Sequence, residues 1–345
     1  MSGAAAAGLP RIAALGGGTG LASLLRGLKP APVDIAAIVT VADDGGSSGR
    51  LRRELGVLPP GDIRNCLVAL ADDESLLGRL FQHRFADGDL SGHPFGNLFL
   101  AALAEVTGSF DLAVQECSRV LKIRGRVLPS TLEQIRLWAE REDGEAVCGE
   151  TRIAAGRGAC RRVWLEPEPA AHGPALDAIQ EADLILLGPG SLFTSVLPHL
   201  AVPGLAEALV GARGRRAYVC NVMTQPGETD GFDAADHLER VLEAVPGGVD
   251  TIVVHEGPLD PEGAAAYAAQ GQEPVTVDRE RLGALGVRVV AGELAEAGRV
   301  VRHSPEALAA VQLELVREAA GAEPATPGRA SRKDMQHLPR SLSRA

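Results

Sequence analysis

Three turns of small residues and three groups of polar side chains are where this chain of 345 residues could do chemistry. Gly16-Gly17-Gly18-Thr19-Gly20 follows a short apolar run and precedes leucines at helical spacing. Small residues therefore stand where a strand turns into a helix, and backbone N–H groups there can approach an anion with no Cβ in the way. That makes Gly17, Gly18 and Thr19 a candidate phosphate cradle. The plain alternative is a tight turn without a ligand, since the spacing is not G-x-G-x-x-G and no Gly-Lys-Ser/Thr follows. Leu187-Gly188-Pro189-Gly190-Ser191-Leu192-Phe193-Thr194-Ser195 repeats the device with hydroxyls near a helix start, which adds Gly188, Gly190 and Ser191.

Asp43 and Asp44 close a second β-rich run and open Gly45-Gly46-Ser47-Ser48-Gly49. Adjacent carboxylates at a strand's carboxyl end can bind a cation, a sugar hydroxyl or a proton. A nucleotide-dependent dehydrogenase also places an acid there, but that reading explains neither the pair nor the long Gly-Ser run. Capping and turn formation are the structural alternative. Pro60-Gly61-Asp62-Ile63-Arg64-Asn65 opens a helix with an acid, a guanidinium and an amide; Asp62 and Asn65 are expected as ligand contacts, and an N-cap role is the compatible structural alternative for Asp62. In Gly92-His93-Pro94-Phe95-Gly96-Asn97 a structural role is expected for His93 and a ligand role for Asn97. The segment from Asn221 through Thr224 to Gly231 crowds polar side chains after a buried-looking strand, more than a bland connection needs.

The elements that must carry these residues read as α/β. Residues 11–15 and 33–41 are strands without strict alternation, as expected where both faces are covered. Helical periodicity with breaks at Gly92 and at Gly108 marks a helical insertion over about 62–121, of some four helices. Looser alternation over 132–165 predicts an antiparallel hairpin at one edge of the sheet. Strands near 184–187, 217–221 and 251–255, each followed by a turn and a helical stretch, restore the βα rhythm and predict a mainly parallel sheet. Residues 11–323 then form one α/β domain, residues 1–10 a flexible N-terminus, and 324–345 a disordered basic tail with Arg329, Arg332, Lys333, Arg340 and Arg344.

Composition narrows the partners. A net charge of −11 opposes broad nucleic-acid binding. Five scattered cysteines without a C-x-x-C pair indicate neither a disulfide framework nor a thiolate zinc site, and fit a reducing cytoplasm. Residues 184–206 lack charge entirely, but Pro189, Pro198 and Pro203 with three glycines break the stretch, so a buried strand, turn and short helix are expected rather than membrane insertion.

Taken in order, these motifs resemble the CofD-like proteins, and within them the YvcK-type branch of gluconeogenesis factors. The likeness runs over about 12–316 and rests on residues 14–20, 41–51, 59–65, 93–97, 187–195 and 221–229. It implies a Rossmann-like three-layer fold and two activities. YvcK-type members bind UDP-sugars of the UDP-N-acetylglucosamine kind as non-enzymatic regulators, with links to growth on gluconeogenic carbon sources, cell shape and envelope homeostasis. Such a regulator implies protein partners in envelope synthesis and leaves a homo-oligomer open. CofD itself transfers 2-phospho-L-lactate from a nucleotide diphosphate donor to a deazaflavin with Mg2+, for which Asp43 and Asp44 would be the metal-binding, catalytic pair. The 41–51 and 224–229 runs resemble the regulatory branch. That branch's ligand positions carry over to Tyr267, set before Gly271, Pro274 and Val275, and to Arg302 before His303-Ser304-Pro305.

Overall fold

The continuous apolar runs form strands covered on both faces. In the computed structural model, which describes residues 8–71, 76–296, 298, 300–319 and 343–344, the strands are β1 (Arg11–Gly16), β2 (Asp34–Val39), β3 (Arg126–Pro129), β4 (Arg136–Arg141), β5 (Ala146–Cys148), β6 (Cys160–Glu166), β7 (Leu184–Leu187), β8 (Arg215–Val219), β9 (Thr251–His255), β10 (Arg288–Gly292) and β11 (Ser343–Arg344). The main sheet has the order β11-β10-β9-β8-β7-β1-β2-β3. Every pairing from β10 to β3 is parallel, and β11 alone runs antiparallel, on β10.

Successive residues of each central strand feed opposite layers, as a period of two requires. Leu15, Ile38, Ile185, Leu187 and Ile252 pack into one core cluster, whereas Ile12, Val39, Leu184, Leu186 and Val253 pack into the other. This is the three-layer Rossmann-like architecture expected. From β1 the chain builds outward through β2 and β3, then returns to lay β7, β8, β9 and β10 on β1's other side. The order therefore reverses between β1 and β7, the crevice where open parallel sheets bind ligands.

Between β2 and β3 lie the helices Gly46–Leu55, Gly61–Leu70, Leu76–Gln82, Phe95–Thr107 and Phe110–Leu121. The last four are the helical insertion. The first takes up the Gly-Ser run after Asp43 and Asp44, with Ser47, Ser48 and Gly49 in its first turn. The antiparallel pairing expected over 132–165 is present, as a separate sheet of order β5-β4-β6 rather than an addition to the main sheet's edge; that edge is β3, parallel to β2.

The uncharged 184–206 stretch is β7, the glycine turn and short helices whose Leu192, Phe193, Val196 and Leu197 are buried. Among the described residues no single helix is long and apolar enough to cross a membrane; the pair Leu192–Leu200 and Leu205–Gly211 has the length and composition but is bent by 76°. The basic tail falls outside the described residues except for β11, as do residues 1–7 of the N-terminus.

Candidate functional site

The first two glycine turns leave adjacent strands, β1 and β7, and they meet at the switch point. A Cβ on Gly20 would stand 2.6 Å from the Pro189 carbonyl oxygen, and one on Gly190 would stand 3.5 Å from that of Gly17. At Gly17, whose backbone is extended at φ −161°, glycine is required for space: a Cβ would lie 2.7 Å from Asp62 Oδ2, 2.9 Å from Thr40 Cγ2 and 3.4 Å from Ser195 Oγ. Gly18 and Gly188 need glycine for conformation, at φ +61° and +84°. Thr19 is exposed in the first turn of the helix Gly18–Leu28. His199 is fully buried behind this floor, with Nε2 3.0 Å from the Gly16 carbonyl. Burial lowers its pKa to about 4, so the ring is neutral and donates from Nε2.

The third polar segment is tied to the second turn. Asn221 Nδ2 donates to Gln225 Oε1 (3.1 Å), and Gln225 Nε2 donates to Ser191 Oγ (2.8 Å). Thr224 does not present a free hydroxyl: its Oγ accepts from Glu273 N, and its own N–H donates to the Glu273 carbonyl. That clamp brings Met223 against Pro274 and Val222 against Val275, and Tyr267 packs on Val222, Met223 and Val301. On the other side of the segment, His303 Nε2 lies 3.1 Å from the Cys220 carbonyl. Tyr267 and the neighbourhood of Arg302 thus converge on residues 220–223. The Arg302 side chain itself is 59% exposed and paired with Glu296 at 2.6 Å.

Carboxylates form the opposite wall. Asp44 turns toward the small sheet, where its Oδ1 accepts from Thr151 N and Thr151 Oγ and anchors the helix Glu150–Ala154. Asp43 accepts from Gly45 N, and its Oδ2 would lie 3.2 Å from a Cβ on Gly61. Asp62 is not the N-cap of the helix Gly61–Leu70; Pro60 holds that position without a side-chain bond. Asp62 instead faces Gly17 and Gly18, and burial, reinforced by Asp43, raises its carboxyl to about 6. Asn65 accepts from Arg64 at 2.5 Å.

Two acids that sequence reasoning left out of the site complete this wall. Glu228, 2% exposed, receives Thr194 Oγ at 3.4 Å and is raised to about 7 by burial. Glu150 is raised to about 9 by burial and then by Asp43, Asp62, Glu228 and Asp44. Both Oε2 atoms are buried without a hydrogen-bond partner. Glu228 stood inside the Thr224 to Thr229 motif and was findable there; Glu150 reaches the site only through the small sheet and left no local signal. Asp44 accepts from Thr151 through Oδ1, and among the described residues no group of three His, Cys, Asp or Glu is placed to hold a metal.

His93 is buried, and Asn97 shares its network. Ser47 Oγ lies 2.7 Å from His93 Nδ1 and accepts from Asn97 Nδ2 at 3.0 Å, with all three side chains buried. Asn97 Oδ1 is left buried and unpartnered. The network binds the helix Gly46–Leu55 to the helix Phe95–Thr107 beside the Asp43 loop.

The profile of the CofD family, described as 2-phospho-L-lactate transferase CofD, matches residues 12–295. The Gluconeogenesis factor of Bacillus subtilis (strain 168) is 49% identical over 313 residues, covering 90% of this chain and 99% of its own length. That of Halalkalibacterium halodurans is 50% identical over 309 residues, covering 88% and 95%. A crystal structure of a Bacillus halodurans protein superimposes with a TM-score of 0.86 at 49% identity, covering 88% of this chain and 99% of that one.

Proposed function

The chain belongs to the CofD family and, within it, to the branch of gluconeogenesis factors, and from that membership we propose that it is a regulatory protein that binds a UDP-sugar of the UDP-N-acetylglucosamine kind. The observation that carries the proposal is the contact between the two glycine turns at the switch point, with Gly20 against Pro189 and Gly190 against Gly17. Two sets of backbone donors on adjacent strands suit a diphosphate better than a single turn does. Tyr267, on the apolar cluster of Val222 and Met223, is the surface for the uracil, and Arg302 the cation for the diphosphate. In the cell the protein would act in the cytoplasm, through partners in envelope synthesis, to sustain cell shape on gluconeogenic carbon sources.

A second reading, transfer of phospholactate, draws on the carboxylate wall of Asp43, Asp62, Glu150 and Glu228 facing the same turns. Against it stands the commitment of Asp44 to Thr151. Calorimetry of the purified protein against UDP-N-acetylglucosamine, GDP and NAD separates the ligand classes; no detectable heat with the UDP-sugar removes the regulatory reading. Incubation with Mg2+, a deazaflavin acceptor and the lactyl-diphosphate-guanosine donor tests the other. Transferred phospholactate with released GMP would establish the transferase.

A further inference from the structure

Two strands of the small sheet carry one pattern, Arg136-Leu137-Trp138-Ala139-Glu140 in β4 and Arg162-Val163-Trp164-Leu165-Glu166 in β6. They pair antiparallel with Trp138 opposite Trp164, so Arg136 falls opposite Glu166 and Glu140 opposite Arg162. The outcome is a face with its own approximate two-fold axis. Its centre holds the chain's two tryptophans, stacked at 5.8 Å with 9° between their planes. Ion pairs close both ends: Arg162 Nε lies 3.0 Å from Glu140 Oε2, and Arg136 lies 3.5 Å from Glu166. Trp138 Nε1 donates to Glu166 at 2.9 Å, and the Arg162 guanidinium sits 5.6 Å from the Trp164 ring centre.

Neither indole serves the core. Leu137, Ala139 and Leu165, on the other face of these strands, are buried there, while both tryptophans stay partly exposed beside the exposed Arg136, Arg162 and Glu166. A solvated antiparallel face normally carries polar side chains. Tryptophan and arginine at the centre, ringed by charge, is instead the chemistry of an interface hot spot.

We propose that this Arg-Trp-Glu face is a self-association surface on which a second copy of the chain docks with the same face. Charge selects that occupant. The chain carries −11 overall, so two copies repel through most of their surfaces, but here Arg136, Arg162, Glu140 and Glu166 alternate in sign, and Arg161, 3.7 Å from Glu140, leaves one positive charge in excess. In a two-fold contact Arg136 and Arg162 can each meet a glutamate of the partner. A uniformly acidic or basic partner would meet like charges as well as opposite ones. Three short strands offer less than the roughly 800 Å² per partner of a standard interface, so the dimer is weak, with a Kd of the order of 10–100 µM.

Sedimentation velocity on the full chain, from about 2 to 300 µM to bracket that range, tests this directly. Intrinsic tryptophan emission followed in parallel reports this face, because the chain has no other indole. A monomer passing to a dimer as the emission shifts to the blue is the expected result. Trp164→Ala should abolish both changes. Arg162→Glu alters a side chain that is 67% exposed, should lower the thermal melt only slightly although it opposes Glu140, and should weaken association at least tenfold. A monomer at every concentration overturns the proposal, and so does a dimer that survives Arg162→Glu with unshifted emission.

Discussion

Gly17 and Asp62 approach so closely that a methyl group on Gly17 would stand 2.7 Å from the Asp62 carboxylate. The first turn and the helix Gly61–Leu70 are therefore fitted to one another. Gly17→Ala must push Asp62 or Thr40 aside and should cost about 1–3 kcal/mol, the usual penalty for overpacking. Adding Asp62→Ala should recover part of that loss in urea denaturation. An alanine at 17 with unchanged stability would mean that the turn is looser than its contacts indicate.

Gln225 bridges Asn221 and Ser191. Gln225→Ala removes two neutral hydrogen bonds, each worth roughly 0.5–1.5 kcal/mol, and releases the second turn from the third segment. The expected result is about a tenfold loss in UDP-sugar affinity by calorimetry with a smaller effect on the melt. An equal loss in both would make the bridge purely structural.

Arg302 donates to Glu296 from Nε at 2.6 Å, so that carboxylate competes with the phosphate proposed for the guanidinium. Arg302→Ala should weaken UDP-sugar binding by about ten- to a hundredfold, corresponding to a charge-assisted bond of roughly 1.5–3 kcal/mol. Glu296→Gln frees the guanidinium and should tighten binding. Tyr267→Ala should also weaken it through loss of the stacking surface. Binding indifferent to all three changes would move the ligand elsewhere in the crevice.

Arg141, 4% exposed, donates to the carbonyls of Gly227 (2.8 Å), Gly158 (3.1 Å), Arg157 (3.3 Å) and Ile153 (3.0 Å). It ties the small sheet to the Glu228 loop. Arg141→Met should cost about 3 kcal/mol or more, because several buried carbonyls lose their donor at once. A denaturation midpoint within error of wild type would show that water replaces the guanidinium.

How much was legible follows from the range of each signal. The β1 turn, the β7 turn and the four-helix insertion declare themselves within a dozen residues through glycine placement and apolar period, and each stands where the sequence predicts. Asp62 was ambiguous because an acid in a helix's first turn also reads as a cap, whereas Pro60 holds the cap and Asp62 answers to Gly17, far away in the chain. Glu150, Arg141 and the commitment of Asp44 to Thr151 depend on where the small sheet docks, which no local pattern encodes. The tryptophan pair was not singled out in the sequence, because only the β4–β6 register makes two distant pentapeptides a face.

Glu150 offers the sharpest test of the carboxylate wall. Its carboxyl is raised to about 9 in the fold, by burial first and then by Asp43, Asp62, Glu228 and Asp44, against an ordinary value near 4.5 in the unfolded chain. Below about pH 4.5 both states hold the proton, and the buried acid costs nothing extra. As pH rises toward 9 the unfolded chain ionises while the fold keeps its proton, so this residue's contribution to stability falls throughout that window. Glutamine copies the neutral acid and cannot ionise. Glu150→Gln should therefore match wild type near pH 4.5 and become more stable by about 1–2 kcal/mol at pH 8, a figure kept low because partial solvent access and relaxation reduce the penalty. Thermal melts from pH 4.5 to 9 would trace the divergence. Parallel curves, or a variant that loses stability as pH rises, would mean that Glu150 is ionised and balanced by a cation, which would return the wall to the transferase reading.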